Sequence, residues 1–254
     1  MAKHPHHVAE APGLFGALPD AADERTSPAS VAIGAEGHRA RMRDRLLRAG
    51  ADALADHELL EMLLFLALPR RDTKPIARAL LTRFRSFAGA ICASPAELRE
   101  IDGLGEAGIA ALKTAQAAAL RLIRAEVVDQ PILSSWTRLI DYLTAALARE
   151  KVEHFRVLYL DTRNRLITDE AQSRGTVNVT SIYPREIVRR ALELSASSLI
   201  LVHNHPSGDP NPSRQDIDLT QAVQAAAAPL SIGVHDHIII GNGQWVSLRK
   251  EGLV

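Results

Sequence analysis

Leu201-Val202-His203-Asn204-His205-Pro206-Ser207-Gly208-Asp209-Pro210-Asn211-Pro212-Ser213-Arg214-Gln215-Asp216 is the stretch on which the reading of this chain turns. An apolar run, Ser198–Val202, reads as a buried strand that ends at His203. In an extended segment, residues two apart share a face, about 6–7 Å apart along the chain. His203 and His205 can therefore aim two imidazoles at one point. Pro206, Pro210 and Pro212 stiffen the loop by fixing φ. The loop then delivers a helix whose first turn carries Asp216. Two neutral imidazoles and one carboxylate suit a zinc site with one open position for water. Such a site lowers the pKa of water toward ~7. Each feature also has a plain structural explanation. A lone His-x-His is weak evidence, and Ser213 three residues before Asp216 makes a helix capping box without any metal. The combination is harder to explain that way, and capping and ligation use different lone pairs.

Working outward, the chain has 254 residues, a length for one or two domains that can bury a sizeable core without staples. Thirty basic and thirty acidic residues balance, which excludes a wholly basic nucleic-acid coat protein but leaves room for a local basic face. The single cysteine, Cys92, excludes an internal disulfide framework and any cysteine-based zinc site. The start, MAKHPHHVAEAPG, has no apolar core of a secretory signal, and the apolar run around Leu59–Leu68 is broken by Glu61. A cytoplasmic protein with no membrane span is the expectation.

Residues 1–36 read as a disordered tail of Pro, Ala, Gly, Ser and His without period. His4, His6 and His7 lie there, where a mobile segment offers no fixed ligand geometry. Residues 37–127 read as an all-α domain. Helical spacing runs through Asp56–Leu64 and Asp72–Phe84, Ser94-Pro95-Ala96-Glu97 is a strong helix start, and the alanine- and leucine-rich segment Gly108–Glu126 favours helix. Asp129-Gln130-Pro131 reads as a linker into a domain over 128–254. There a helix capped by Ser134 or Ser135 runs to about Ala148. Strands follow at Phe155–Leu160, from Leu166, and at Ser198–His203, Ser231–Val234, His237–Ile240 and Trp245–Leu248. Helices at Pro184–Leu194 and Ser213–Ala228 interrupt them. This mixture predicts an α/β or α+β fold.

The spacing His203-x-His205, seven residues, Ser213, two residues, Asp216 matches the signature of the JAMM (JAB1/MPN) metalloproteases. HNHPSGDPNPSRQD, with Pro184-Arg185-Glu186 upstream and Asp236-His237-Ile238-Ile239-Ile240-Gly241 downstream, resembles the bacterial RadC family in particular, over residues 38–254. The resemblance implies a JAMM/MPN fold, a cytidine deaminase-like α/β sandwich, with catalytic zinc. It implies that His203, His205 and Asp216 hold Zn²⁺ and that Ser213 steadies the oxyanion. It also implies an upstream glutamate that takes a proton from the activated water and returns it to the leaving amine. Glu153, Glu170 and Glu186 are the candidates. Glu153 opens the first core strand, the family's position for this residue, and is the first choice; Glu170 is the next. Glu186 is better explained as a carboxylate at a helix N-terminus. The substrate is then a protein or peptide, cut at an amide or isopeptide bond.

Other polar residues fit less well as ligands. His154 follows Glu153 and points to the opposite face of the strand. His235 and His237 flank Asp236 between two strands, where packing or an outer hydrogen bond suits them better; Asp236 is a further candidate for setting a ligand tautomer. Asn204 and Ser207 either shape the loop or bind substrate.

Leu98–Leu112 resembles a helix-hairpin-helix, in which a GxG turn exposes backbone N–H groups to a DNA phosphate. Gly103 and Gly105 fit, whereas Ile109 and Glu106 depart from the pattern. Residues 38–126 carry 15 basic against 11 acidic residues, with five arginines in His38–Arg48. Weak, sequence-independent DNA binding through residues 37–127 is one expectation; a solvated helix face or a protein-interaction module is the other. The function predicted first is a zinc metallohydrolase. The alternative is a DNA-binding or DNA-repair-associated protein whose JAMM-like domain is structural or a scaffold for other proteins.

Overall fold

The computed structural model describes residues 28–128, 130–175 and 182–254. His4, His6, His7, Asp129 and the tail up to residue 27 lie outside the described residues.

Strand β3 (Ser198–Asn204) is buried at every position, as its apolar run requires, and forms the centre of a five-stranded sheet. On one side it pairs antiparallel with β1 (Glu153–Leu160), and β1 pairs antiparallel with the edge strand β2 (Leu166–Gly175). On the other side it pairs parallel with β4 (Gly233–Ile240), which pairs antiparallel with the short edge strand β5 (Trp245–Ser247). A parallel neighbour demands a crossover. Helix α9 (Arg214–Ala227) supplies it, and the Pro-rich loop after β3 feeds that helix.

Period-two alternation sorts β3 between two cores. Ile200 and Val202 face helix α7 (Trp136–Leu147) through Leu139, Ile140 and Leu143. Leu199 and Leu201 face α8 (Pro184–Glu193) and α9 through Ile187, Val188 and Val223. Each fully buried leucine or isoleucine stabilises the sheet by ~1.5–3 kcal/mol before entropy is counted. The next residue on the α8/α9 face is His203, so the strand ends by presenting an imidazole to the N-terminus of α9.

The N-terminal region is helical: α1 (Pro28–Ala49), α2 (Asp56–Ala67), α3 (Lys74–Phe84), α4 (Phe87–Cys92), α5 (Pro95–Arg99) and α6 (Gly105–Val128). A third core, built on Leu60, Leu64, Leu80, Leu98, Leu104 and Leu112, holds α2 to α6 together. Helix α6 serves two cores, since Val127 belongs to the α7 side of the sheet and Ile123 packs against it. Among the described residues no helix is long and apolar enough to cross a membrane.

Three expectations are corrected. Residues 28–36, read as tail, are helical and begin α1. The segments 231–234 and 237–240, read as two strands, belong to the single strand β4, which begins at Gly233 and runs unbroken to Ile240. The reason is that Asp236 is buried inside β4 with partners of its own: it accepts from Ser247 Oγ (2.5 Å), Arg249 N (3.1 Å) and His237 N (2.7 Å). Helix α6 starts at Gly105, inside the segment read as a turn.

Candidate metal centre

Asp216 sits at the third position of α9, with Ser213 as N-cap. Ser213 N (2.7 Å) and Ser213 Oγ (2.6 Å) donate to Asp216 Oδ2, and Asp216 N donates back to Ser213 Oγ (3.3 Å). The capping box therefore fixes the carboxylate and leaves Oδ1 facing His203 Nε2 at 3.3 Å. His205 Nε2 lies 3.7 Å from Asp216 Oδ2 and 2.9 Å from His203 Nε2. One ligand atom from each of the three residues falls within 4.8 Å of the others.

Hydrogen bonds behind the two imidazoles assign their tautomers. Thr220 Oγ1 donates to the carbonyl of Asp216 (2.5 Å), so its oxygen accepts from His237 Nδ1 (2.6 Å). His237 Nε2 is then an acceptor, and it accepts a hydrogen bond from His203 Nδ1–H (2.8 Å). His203 Nε2 is left with a bare lone pair. His205 Nδ1 faces the carbonyl of Asp209 (2.7 Å), which only accepts, so His205 Nε2 is bare as well. Two lone pairs and a carboxylate oxygen thus converge on one point, an arrangement that a cation satisfies. Phe155 fixes the ring planes, stacked on His203 at 6.2 Å and edge-on to His237 at 5.7 Å.

Burial reinforces the pattern. Burial holds His203 at about 4 and His237 well below the ordinary imidazole value, so both stay neutral at physiological pH. His205 is pushed the other way by the Asp216 carboxylate 3.7 Å away, against partial burial. For Asp216, burial pushes upward, but the interactions with His205, His203 and Ser213 outweigh it and hold the carboxylate below its ordinary range. A carboxylate this strongly committed to its charged form attracts positive charge to the same point.

Two family models match the chain. The RadC-like JAB domain matches residues 133–253, and the UPF0758 N-terminal family matches residues 37–110. A UPF0758 protein of Rhodobacter capsulatus is 54% identical over 213 residues, covering 84% of this chain and 100% of the relative. The chain belongs to the UPF0758 family and carries a RadC-like JAB domain. A UPF0758 protein of Ruegeria pomeroyi is 50% identical over 215 residues, 85% of this chain and 96% of the relative.

Within the JAB domain, Glu153 opens β1 on the sheet face that carries Phe155 and, in register with it, His203. Burial raises its pKa; Asp216 adds to the rise and His205 opposes it, so Glu153 lies within electrostatic reach of two of the three ligand candidates. Glu170 lies on β2 in a two-pronged ion pair with Arg190 of α8 (2.7 and 3.0 Å), and Glu186 pairs with Arg189 at the start of α8. His154 lies on the other face of β1, as its position after Glu153 requires. Asp236 hydrogen-bonds its own neighbours and not a ligand histidine; that outer role falls to His237.

Sequence reading missed Thr220. It lies four residues after Asp216, hence on the same face of α9, and is fully buried. A threonine on the face that carries an acidic ligand was the available signal. Asn204 takes a structural role: its Oδ1 accepts from His154 N (2.9 Å) and its Nδ2 donates to the carbonyl of Val152 (3.1 Å). It ties the strand end between the two histidines to the segment that delivers Glu153. Ser207 Oγ accepts from Asp209 N (3.3 Å) and shapes the loop.

Proposed function

We infer that the chain is a zinc-dependent metallohydrolase of the JAMM type, which cleaves an amide or isopeptide bond of a protein or peptide with water. One observation carries this reading: the two bare Nε2 lone pairs and Asp216 converge at 2.9–3.7 Å. A tetrahedral zinc with bonds of 2.0–2.1 Å needs donors about 3.3–3.5 Å apart, so small movements accommodate the ion. His203, His205 and Asp216 would hold it. When bound, zinc supplies Lewis acidity at the scissile carbonyl and makes water nucleophilic near neutral pH.

The remaining steps belong to the chain's own side chains. The Glu153 carboxylate takes a proton from the attacking water and passes it to the leaving nitrogen. Its raised pKa makes it a stronger base and matches it better to work near neutrality. The Ser213 hydroxyl, which donates to Asp216 Oδ2 in this structure, turns to the substrate oxygen as negative charge builds there. His237 and Thr220 keep the lone pair of His203 on the ion. The five-stranded sheet with helices on both faces is compatible with the cytidine deaminase-like sandwich of JAMM proteins. Zinc analysis paired with a peptidase assay of wild type and Glu153→Gln tests the reading.

A second reading concerns DNA. Gly103 (φ +80°), in the turn between α5 and α6, and Gly105 (φ +60°), the first residue of α6, take left-handed conformations, as a helix-hairpin-helix needs. Glu106 beside the turn is paired with Arg99 (2.8 Å), which offsets its charge. Weak binding of duplex DNA backbone through this turn is the proposed accessory activity. Its test is the salt-dependent DNA affinity of Gly105→Asp against wild type.

A further inference from the structure

On the sheet face opposite the metal centre, a cavity of about 400 Å³ opens between α6, the end of α7 and β1. That volume is within the ~300–1,000 Å³ range of small-molecule sites. Three arginines line the cavity. Arg121 and Arg124 stand three apart on α6 and therefore on one helix face, and neither makes a hydrogen bond or ion pair among the described residues. Arg156 comes from β1. Its Nε donates to the buried Asp169 at 2.7 Å, and Tyr142 Oη holds the other oxygen of Asp169 at 2.7 Å. This pair fixes the guanidinium plane and leaves both Nη groups of Arg156 without an acceptor among the described residues. Glu150 is the only carboxylate on the cavity wall, and Leu120, Ala146 and Leu147 give it an apolar side.

We propose that this cavity is a second ligand site, for a small phosphate monoester whose apolar part lies against Leu120 and Ala146. The reasons are chemical. Asp169 cancels much of the charge of Arg156, so recognition rests on directed donors rather than on a strong field. Forked guanidinium donors match phosphate oxygens in pairs. Two arginines from one face of α6, without partners among the described residues, and a third, oriented one from β1 provide donors from two elements. The apolar wall distinguishes a phosphorylated organic molecule from a bare anion. The site is linked to the metal centre through the strand: His154 lines it, and Asn204, between His203 and His205, binds the backbone of His154 and Val152. A ligand seated there braces the segment that delivers Glu153. This last consequence rests on the proposed hydrolase, whereas binding itself does not.

The test is calorimetric titration of the full chain with phenyl phosphate, inorganic phosphate and a short DNA duplex at low ionic strength. Phenyl phosphate is expected to bind at least about tenfold more tightly than inorganic phosphate. The double variant Arg121→Gln, Arg124→Gln is expected to weaken it by at least about tenfold. Both side chains are exposed, so the ligand-free melting temperature should not move. Arg156 is left intact, because its removal would strand the buried Asp169. Absence of phenyl phosphate binding, or binding indifferent to the double variant, overturns the proposal. So does equal affinity for the two small phosphates. Tighter duplex binding that needs the same two arginines also overturns it, and assigns the surface to nucleic acid.

Discussion

His237 Nε2 lies 2.8 Å from His203 Nδ1, and this one contact turns the lone pair of His203 toward Asp216. His237 is oriented in turn by Thr220 Oγ1 at 2.6 Å. Neither residue belongs to the His-x-His signature, yet both act on its first histidine. Thr220→Val removes the acceptor for His237 Nδ1 and frees His237 to present the wrong nitrogen. Outer hydrogen bonds of this kind change metal affinity by about 10–100-fold. The expected result is a loss of zinc affinity in that range for Thr220→Val, with recovery in Thr220→Ser. Competition with a chelator of known affinity measures it. Equal affinities in all three proteins would remove the orienting role.

Glu153→Gln separates catalysis from metal binding. The amide is nearly isosteric but cannot take a proton from water. General acid–base steps contribute ~10²–10⁴-fold, so cleavage should fall by at least the lower figure while zinc content stays at the wild-type level. Asp216→Asn should lose both. Cleavage rate and zinc content are measured on the same preparations. Full activity in Glu153→Gln would remove Glu153 as the base, and loss of zinc would make it part of the metal's surroundings.

Zinc affinity should fall as the solution is acidified, and one histidine should account for it first. His205 has a pKa raised above 6.5 by Asp216, so it takes up a proton as pH falls through that raised value. The protonated ring cannot ligate, and affinity should drop about tenfold per pH unit below it. His203, held at about 4 by burial, stays neutral over most of this window, so one proton is taken up per ion released. The stability of the metal-free protein follows the same sign. Below pH 6.5 the unfolded chain protonates at position 203 and the folded chain does not until about 4. The stability contributed by neutral His203 is thus present above 6.5 and is lost as pH falls through about 4. Metal titrations and urea denaturation at stepped pH check both statements; a pH-independent affinity between 7 and 5 contradicts the first.

Asn204 tests how the fold supports the site. Asn204→Leu keeps the branched shape of the side chain but leaves His154 N and the carbonyl of Val152 without this side-chain partner. Stranding buried backbone groups costs about 1–3 kcal/mol each, so a loss of roughly 2–4 kcal/mol is expected in urea denaturation. A loss under about 0.5 kcal/mol would mean that water replaces the amide without cost.

How legible this was in the sequence depended on distance along the chain. His203, His205, Ser213 and Asp216 fall within fourteen residues, so strand, loop and helix phase alone bring them together. Glu153 was legible because it opens an apolar strand, and the register of Phe155 with His203 then places it. The pairing of His203 with His237 was not legible as such, since it depends on the parallel register of β3 and β4. The polar triplet His235-Asp236-His237 looked like a break between strands. It is not one, because Ser247 and the backbone beyond β5 satisfy Asp236 inside the sheet. Residues 28–36 lacked apolar periodicity, and their helix in α1 continues from the arginine-rich segment that follows.

Elemental analysis of the purified chain tests whether His203, His205 and Asp216 hold one zinc ion. About one zinc per chain is expected in the wild type and little in His203→Ala or His205→Ala, with Glu153→Gln unchanged. A wild-type protein that carries no zinc, even after refolding in its presence, would rule out the zinc site and the hydrolase built on it.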